Sequence, residues 1–140
     1  MKKQLISTLA IIAFTSTMSV KADEVCKPAK HAKVSSITNF TYHKARKALI
    51  KAGWQPFQTK TFNDAVKEAS EDPDLSTGNG TIFWNKGYVE IERCGTGLSP
   101  CAFLFKDIYN NQLRVKTAGE ENPNEKSYAK VTGFNFVCPQ

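Results

Sequence analysis

The sequence predicts an α+β domain in which one long and one short helix pack on a four-stranded antiparallel sheet. Apolar residues recur at helical spacing in the first half of the chain, and they alternate at a period of two after residue 80. Turn-forming residues divide the alternating part into short hairpin segments. Helix and strand patterns in separate halves of a chain are typical of a layered α+β fold, because helices on one sheet face bury both apolar surfaces.

Residues 1–22, MKKQLISTLAIIAFTSTMSVKA, have the three parts of a secretory signal peptide: a lysine-containing start, a short apolar stretch and small residues before a cleavage point, at Val20 and Ala22. A retained anchor is the alternative interpretation. We expect one mature domain over residues 23–140. Cys26 does not directly follow the cleavage point, so we expect no lipidation and a periplasmic or secreted protein without a stable membrane anchor.

The charge balance is only mildly basic once this leader is removed. The full chain has 19 basic and 13 acidic residues, and the leader contains three lysines and no acid, which leaves a net charge of +3. Lysines dispersed among acids are typical of a solvated surface, whereas nucleic-acid binders carry denser basic stripes. We therefore expect no nucleic-acid partner.

All four cysteines lie in the exported part, which predicts two disulfides with three possible pairings. We favour Cys94–Cys101, which closes a short turn, and Cys26–Cys138, which joins the two ends of the domain. In the chain-entropy model the terminal link stabilises by about 4–5 kcal/mol and the short link by roughly 2–3 kcal/mol. The segment GTGLSP between Cys94 and Cys101 is then a stapled hairpin connection rather than a phosphate loop, because a strand and not a helix follows it.

The long helix is predicted in the segment NFTYHKARKALIKAGWQP, after an extended arm over residues 23–38. Asn39 or Thr41 can cap its start, and Gly53 occupies the position of a left-handed C-terminal residue. The short helix is predicted over residues 62–70. The apolar stripe of the long helix comprises Tyr42, Ala45, Ala48, Leu49 and Ala52, and His43, Lys47 and Lys51 fall on another, solvent-facing side.

Four segments read as strands, because they are rich in aromatic and β-branched residues with alternating polarity. Asn110–Asn111 provides a hairpin turn, and Gly133 predicts a bulge or bend in the last strand. The strands span residues 81–94, 101–109, 112–118 and 128–138.

The expected partner-binding surface combines aromatic and polar residues of the first strand with the following loop. Trp84 and Tyr88 would form an exposed aromatic patch if they lie on the sheet face without helices. Glu90 and Glu92 alternate along the same strand and would share one polar face. The loop contributes Thr96, Leu98 and Ser99.

No residue constellation predicts catalysis, so we expect a protein that is not an enzyme and has neither a metal site nor a cofactor. The Ser-x-x-Lys match at Ser127–Lys130 runs into a strand, whereas that chemistry needs the serine at a helix start. Two alternatives stay open. One is a small envelope hydrolase that uses Glu90 or His43. The other is a structural envelope component that binds anionic lipid or glycan through His43, Lys44, Lys47 and Lys51.

The segments YHKARKALIKAGWQP, VEIERCGTGLSPCAFLFKD and LRVKTAGE resemble small exported proteobacterial proteins of uncharacterised function. In element order the chain also resembles modules of the β-lactamase-inhibitor-protein type and small outer-membrane assembly lipoproteins. These pack a helix pair on an antiparallel sheet and bind other proteins. The resemblance implies a non-catalytic module that binds another exported or envelope protein, of the inhibitor or immunity type.

Overall fold

The computed structural model describes residues 26–59, 78–95 and 100–138. Three predictions fall outside these ranges: the signal peptide at 1–22, the short helix at 62–70, and the loop residues Thr96, Leu98 and Ser99. The described residues form an α+β domain with two helices and a five-stranded antiparallel sheet. The predicted fold class is confirmed, and the predicted count of four strands is one too low.

The described chain contains two helices and five strands. The helices are α1 (Tyr42–Lys51) and α2 (Asn79–Asn85). The strands are β1 (Gln55–Pro56), β2 (Ile91–Cys94), β3 (Cys101–Lys106), β4 (Gln112–Ala118) and β5 (Lys130–Val137), with a 3-10 turn at Pro123–Glu125. Neighbouring strands pair in the order β1-β3-β4-β5, and β2 pairs with β3 beside β1.

The long helix begins and ends where its capping residues predict. Thr41 is the N-cap, and its hydroxyl accepts a hydrogen bond from the backbone N–H of Lys44. Gly53 follows the C-cap with a φ of 99°, a left-handed conformation that an L side chain would strain. Tyr42 and Leu49 of the predicted stripe are buried. The apolar stripe is therefore the packing face of α1.

The second helix lies where the sequence predicted the start of a strand. Residues 79–85 are helical, so only the last part of the predicted segment 81–94 is extended, as β2. The run Ile82–Trp84 is apolar and too short for periodicity to distinguish helix from strand. In the helical conformation the side chain of Phe83 is fully buried in the core. The missed fifth strand, β1, is only two residues long and has no period of its own.

The sheet core lies on the face that both helices cover. The ring of Phe103 in β3 stacks on that of Tyr42 at 3.6 Å between centroids and meets the edge of Phe83 at 5.1 Å. Phe105, Leu113 and Val115 extend the same buried face, consistent with alternating side-chain directions along paired strands. α1 and α2 thus pack on the same side of the sheet, whereas the short helix predicted to share that side lies outside the described residues.

Two predicted turn features in the sheet are present, and one strand end differs. Asn110 has a φ of 65° in the β3–β4 connection. The β4–β5 register shifts so that Lys116 pairs with Gly133 and Thr117 with Val131, which leaves Thr132 as the extra residue of a bulge. β3 ends at Lys106 rather than continuing to residue 109, because the next residue, Asp107, starts a tight loop.

Both predicted disulfides are present. Cys26 and Cys138 are joined with their Cα atoms 5.5 Å apart, and Cys94 and Cys101 with theirs 4.0 Å apart. The described residues contain no free cysteine. Two disulfides in so small a domain indicate an oxidising, non-cytoplasmic compartment. Neither described helix is long and apolar enough to cross a bilayer.

Candidate functional site

The residues predicted for partner binding do not form one exposed surface. Trp84 on α2 and Tyr88 in the turn after it are half-buried and pack against the core. Glu90 is fully buried, so its expected place on a solvated strand face is wrong. Glu92 is half-exposed and holds Arg114 through two hydrogen bonds of 2.7 Å. The aromatic patch proposed from the sequence is therefore mostly interior.

Glu90 belongs to a polar cluster beneath α1. Its Oε1 accepts hydrogen bonds from the Tyr42 hydroxyl at 2.8 Å and from Arg46 Nε at 2.6 Å. Burial, followed by the nearby Glu90 charge, raises the pKa of Tyr42 well above its ordinary value. Burial opposes ionisation of Arg46, but the hydrogen bond and charge of Glu90 outweigh it and raise the pKa of the guanidinium. Glu90 and Arg46 form an ion pair in which the carboxylate is fully buried and the guanidinium half-buried, and the phenol of Tyr42 is its third member.

His43 extends this cluster and is half-buried, whereas the sequence predicted it on the solvent-facing side of α1. His43 Nδ1 lies 2.7 Å from the Tyr88 hydroxyl, and Nε2 lies 2.6 Å from Glu121 Oε1. The side chain of Glu121 is fully buried, and its Oε2 accepts the backbone N–H of Ala129 at 3.0 Å. Toward an ionised Glu121 the Nε2 of His43 donates; Nδ1 then accepts from the Tyr88 hydroxyl in a neutral imidazole and donates to the Tyr88 oxygen in a protonated one.

We call the six residues Tyr42, His43, Arg46, Tyr88, Glu90 and Glu121 the α1 polar cluster. Its order carboxylate–imidazole–hydroxyl has the connectivity of a hydrolytic triad. Burial raises the pKa of the Tyr88 phenol, and the smaller opposing effect of Arg46 does not reverse this. A phenol held protonated is a poor nucleophile. The contacts of His43 connect α1 to the turn after α2 through Tyr88 and to the β4–β5 connection through Glu121.

A second region stands out because its apolar side chains point outward. The hairpin tip, residues 107–111, joins β3 and β4 and carries Ile108 and Tyr109 with exposed fractions of 79% and 41%. Ile108 is the most exposed large apolar side chain in the described part of the chain. The sequence prediction missed both residues because it placed them inside a strand.

The hairpin tip is held by one buried carboxylate. Asp107 Oδ1 accepts the backbone N–H groups of Tyr109 and Asn111, and Oδ2 accepts those of Ala32 and the Asn111 amide, all at 2.9 Å. Burial opposes ionisation, but these hydrogen bonds outweigh it and lower the pKa of Asp107. The Asn111 amide also donates to the carbonyl of Lys30 at 2.8 Å. Hydrogen bonds within the loop, and others to Lys30 and Ala32 of the N-terminal arm, therefore hold the loop in place.

A groove of about 490 Å³ lies beside the hairpin tip. The terminal disulfide forms one wall and the tip another, with Lys27, Pro28, Gln112 and Val137 between them. Lys30 places its Nζ 4.6 Å from the centre of the Tyr109 ring. The exposed apolar residues of the tip therefore have a concave surface and lysines next to them.

Known proteins give no further assignment: no family model matches the chain, and neither the curated proteins nor the solved structures contain a match. The resemblance to exported proteins of the inhibitor type stays a prediction. Within residues 26–59, 78–95 and 100–138, no three His, Cys, Asp or Glu side chains group as metal ligands.

Proposed function

We propose that this chain is a non-catalytic, periplasmic or secreted module that binds another exported or envelope protein through its hairpin tip. The observation that carries the proposal is the 79% exposure of Ile108 on a loop whose backbone is fixed by Asp107. Exposed apolar side chains on rigid loops act as anchors, because they enter a partner pocket without a large loss of conformational entropy. No cofactor is needed for this activity.

The order of the loop favours a protein partner over a membrane surface. Insertion into a bilayer interface depends on buried apolar area and on basic charge, and it places no demand on backbone geometry. The tip instead has a backbone that hydrogen bonds between Asp107, Asn110 and Asn111 hold in one conformation, and a groove adjoins it. A groove next to a rigid anchor can accept a protruding side chain from the partner, which gives reciprocal contacts across the interface.

Inhibitor or immunity proteins have the properties that this site requires. They neutralise an enzyme by occupying its surface and need no chemistry of their own. The leader predicted at residues 1–22 and the two disulfides support action outside the cytoplasm. A partner of this kind would offer an apolar pocket of the size of an isoleucine side chain, with the rest of its contacts on Tyr109 and the groove.

The experiment compares partner capture by the oxidised protein with capture by Ile108→Ala and by Tyr128→Ala. Tyr128 is also an exposed ring, at 38%, but lies in the β4–β5 connection at the opposite end of the sheet. Proteins retained from envelope and culture extracts are identified by mass spectrometry, and the retained protein is purified and titrated. We expect Ile108→Ala to weaken that affinity at least tenfold, or about 1.4 kcal/mol, and Tyr128→Ala to change it less than twofold.

Two results would contradict the proposal. One is equal affinity of the titrated protein for wild type and Ile108→Ala. The other is binding of wild type to phosphatidylglycerol vesicles that Ile108→Ala abolishes, with no protein partner retained, which would assign the tip to a membrane surface. Unfolding curves of both variants must match wild type, so that the loss is attributed to contact and not to misfolding.

A further inference from the structure

The outer face of the sheet has a second groove, at the far end of the β3–β4 hairpin from its tip. Its volume is about 520 Å³, and the disulfide Cys94–Cys101 and Ala102 contribute to its lining. Because β3 is six residues long, about 20 Å of strand separates this end from the hairpin tip. We call it the cationic groove. It is a separate surface from the one proposed to bind protein.

Three basic side chains line the cationic groove. Arg93 and Lys116 are exposed, and neither forms an ion pair with an acid in the described part of the chain. Arg114 is held by Glu92 through Nε and Nη2, which leaves N–H donors of its guanidinium free for a further acceptor. Glu92 pairs with Arg114, and the described lining contains no acidic residue, so it has an excess of positive charge.

The three basic residues of the groove lie on paired strands, so hydrogen bonding within the sheet fixes the positions of their backbone atoms. Arg93 lies opposite Ala102, which lies opposite Lys116 in turn. The extra residue of the β5 bulge, Thr132, lines the same groove and donates from its hydroxyl to the carbonyl of Lys116 at 3.2 Å. The positions of the basic residues are thus set by strand register and not by loop conformation.

We propose that the cationic groove binds a phosphate-class oxyanion. Guanidinium groups match the oxygen geometry of phosphate, and the lysine adds a mobile positive charge. The alternative ligand chemistry, a single carboxylate, would use fewer of the available donors. Phosphate can come from a soluble ester or from a lipid headgroup, and the groove recognises the chemistry that the two share.

The test is a titration of the oxidised, isotope-labelled protein with inorganic pyrophosphate, followed by NMR shifts of the backbone amides. We expect saturable shifts at Arg93, Arg114 and Lys116 that weaken as ionic strength rises. The double variant Arg93→Gln/Lys116→Gln should weaken the affinity at least tenfold. The matched control, Lys33→Gln/Lys86→Gln, removes the same charge from exposed positions outside the groove and should change it less than twofold.

The outcomes separate specific binding from a general charge effect. Equal weakening in both double variants, or shifts that do not saturate, would overturn the proposal, since net charge alone would then explain the attraction. Loss of binding only in the groove variant would support it. Phosphatidylglycerol vesicles provide the second arm. Sedimentation of wild type but not of the groove variant would assign the anion to a lipid headgroup, and pyrophosphate binding without sedimentation would assign it to a soluble ester.

Discussion

The hairpin tip and the α1 polar cluster use the same residue types in opposite ways. At the tip a single carboxylate, Asp107, faces inward and holds a loop that exposes Ile108. In the cluster two carboxylates, Glu90 and Glu121, are buried among aromatic rings and bind Arg46 and His43. The carboxylates of the cluster are thus turned into the fold, whereas at the tip an aliphatic side chain is exposed to solvent.

The largest expected effect tests the structural role of the cluster. Glu90→Ala removes a fully buried carboxylate and leaves the half-buried Arg46 and the buried Tyr42 hydroxyl without their acceptor. We expect a loss of about 3–5 kcal/mol in the free energy of unfolding, measured by urea denaturation. The control Glu92→Ala breaks a half-exposed pair with Arg114 and should cost less than about 1 kcal/mol. Equal losses would remove the distinction between buried and exposed pairs.

The next effect tests whether the tip is held by Asp107. Asp107→Ala deletes an acceptor of four hydrogen bonds, and we expect a loss of roughly 2–3 kcal/mol in unfolding free energy. Amide exchange at Tyr109 and Asn111 should accelerate more than exchange in β4, because the loop loses its acceptor while the strand pairing remains. Unchanged exchange at these two amides would show that the tip is ordered by other contacts.

A pH series tests the same residue through its proton. The folded-state pKa of Asp107 is lowered, so its ionised form stabilises the fold fully above the ordinary aspartate pKa of about 4. That contribution is lost as the pH falls through the lower folded-state pKa, because the unfolded chain takes up the proton first. Asp107→Asn should therefore show a shallower loss of stability than wild type below about pH 4. Parallel curves would contradict the assignment.

A smaller effect is expected for the hydroxyl that meets His43. Tyr88→Phe deletes one hydrogen bond at 2.7 Å and keeps the ring in place, so we expect a loss of about 1 kcal/mol. Tyr109→Phe removes a hydroxyl from the exposed tip and should leave stability unchanged. Ester, phosphate and peptidoglycan hydrolysis by wild type that Tyr88→Phe or His43→Gln abolishes would instead favour the hydrolase alternative.

The smallest effect on stability is expected at the most exposed apolar residue. Ile108→Ala removes a side chain that contacts solvent over most of its surface, so the free energy of unfolding should stay within about 0.5 kcal/mol of wild type. Ile91→Ala makes the same change at a position with no exposure and should cost about 2–5 kcal/mol. A large loss at Ile108 would mean that the tip is part of the core.

The elements predicted correctly are those with local signals. α1 has an apolar stripe between Thr41 and Gly53, and both ends lie where capping residues fall. The two disulfides followed from loop length and the oxidising compartment. α2 was missed because seven residues contain fewer than two full helical repeats, and its conformation depends on where Phe83 packs.

The candidate site was harder to predict because its contacts are distant in sequence. His43 meets Tyr88 and Glu121, which are 45 and 78 residues away, and nothing near His43 distinguishes it from its lysine neighbours. A signal for the tip was present in the segment KDIYNN. Aspartate followed by two asparagines favours a turn held by side-chain acceptors, and Ile108 inside such a turn has no core to enter.

The bond between Cys26 and Cys138 turns the domain into a covalent ring. A protease that cuts this ring once does not release two fragments; it opens a circularly permuted chain whose new ends lie at the cut. The sheet pairings and the α1 polar cluster can then persist, since every segment stays tethered to its neighbours. In an oxidising compartment the protein can thus be nicked and still present an intact hairpin tip, with the cut detectable only after reduction of the disulfide.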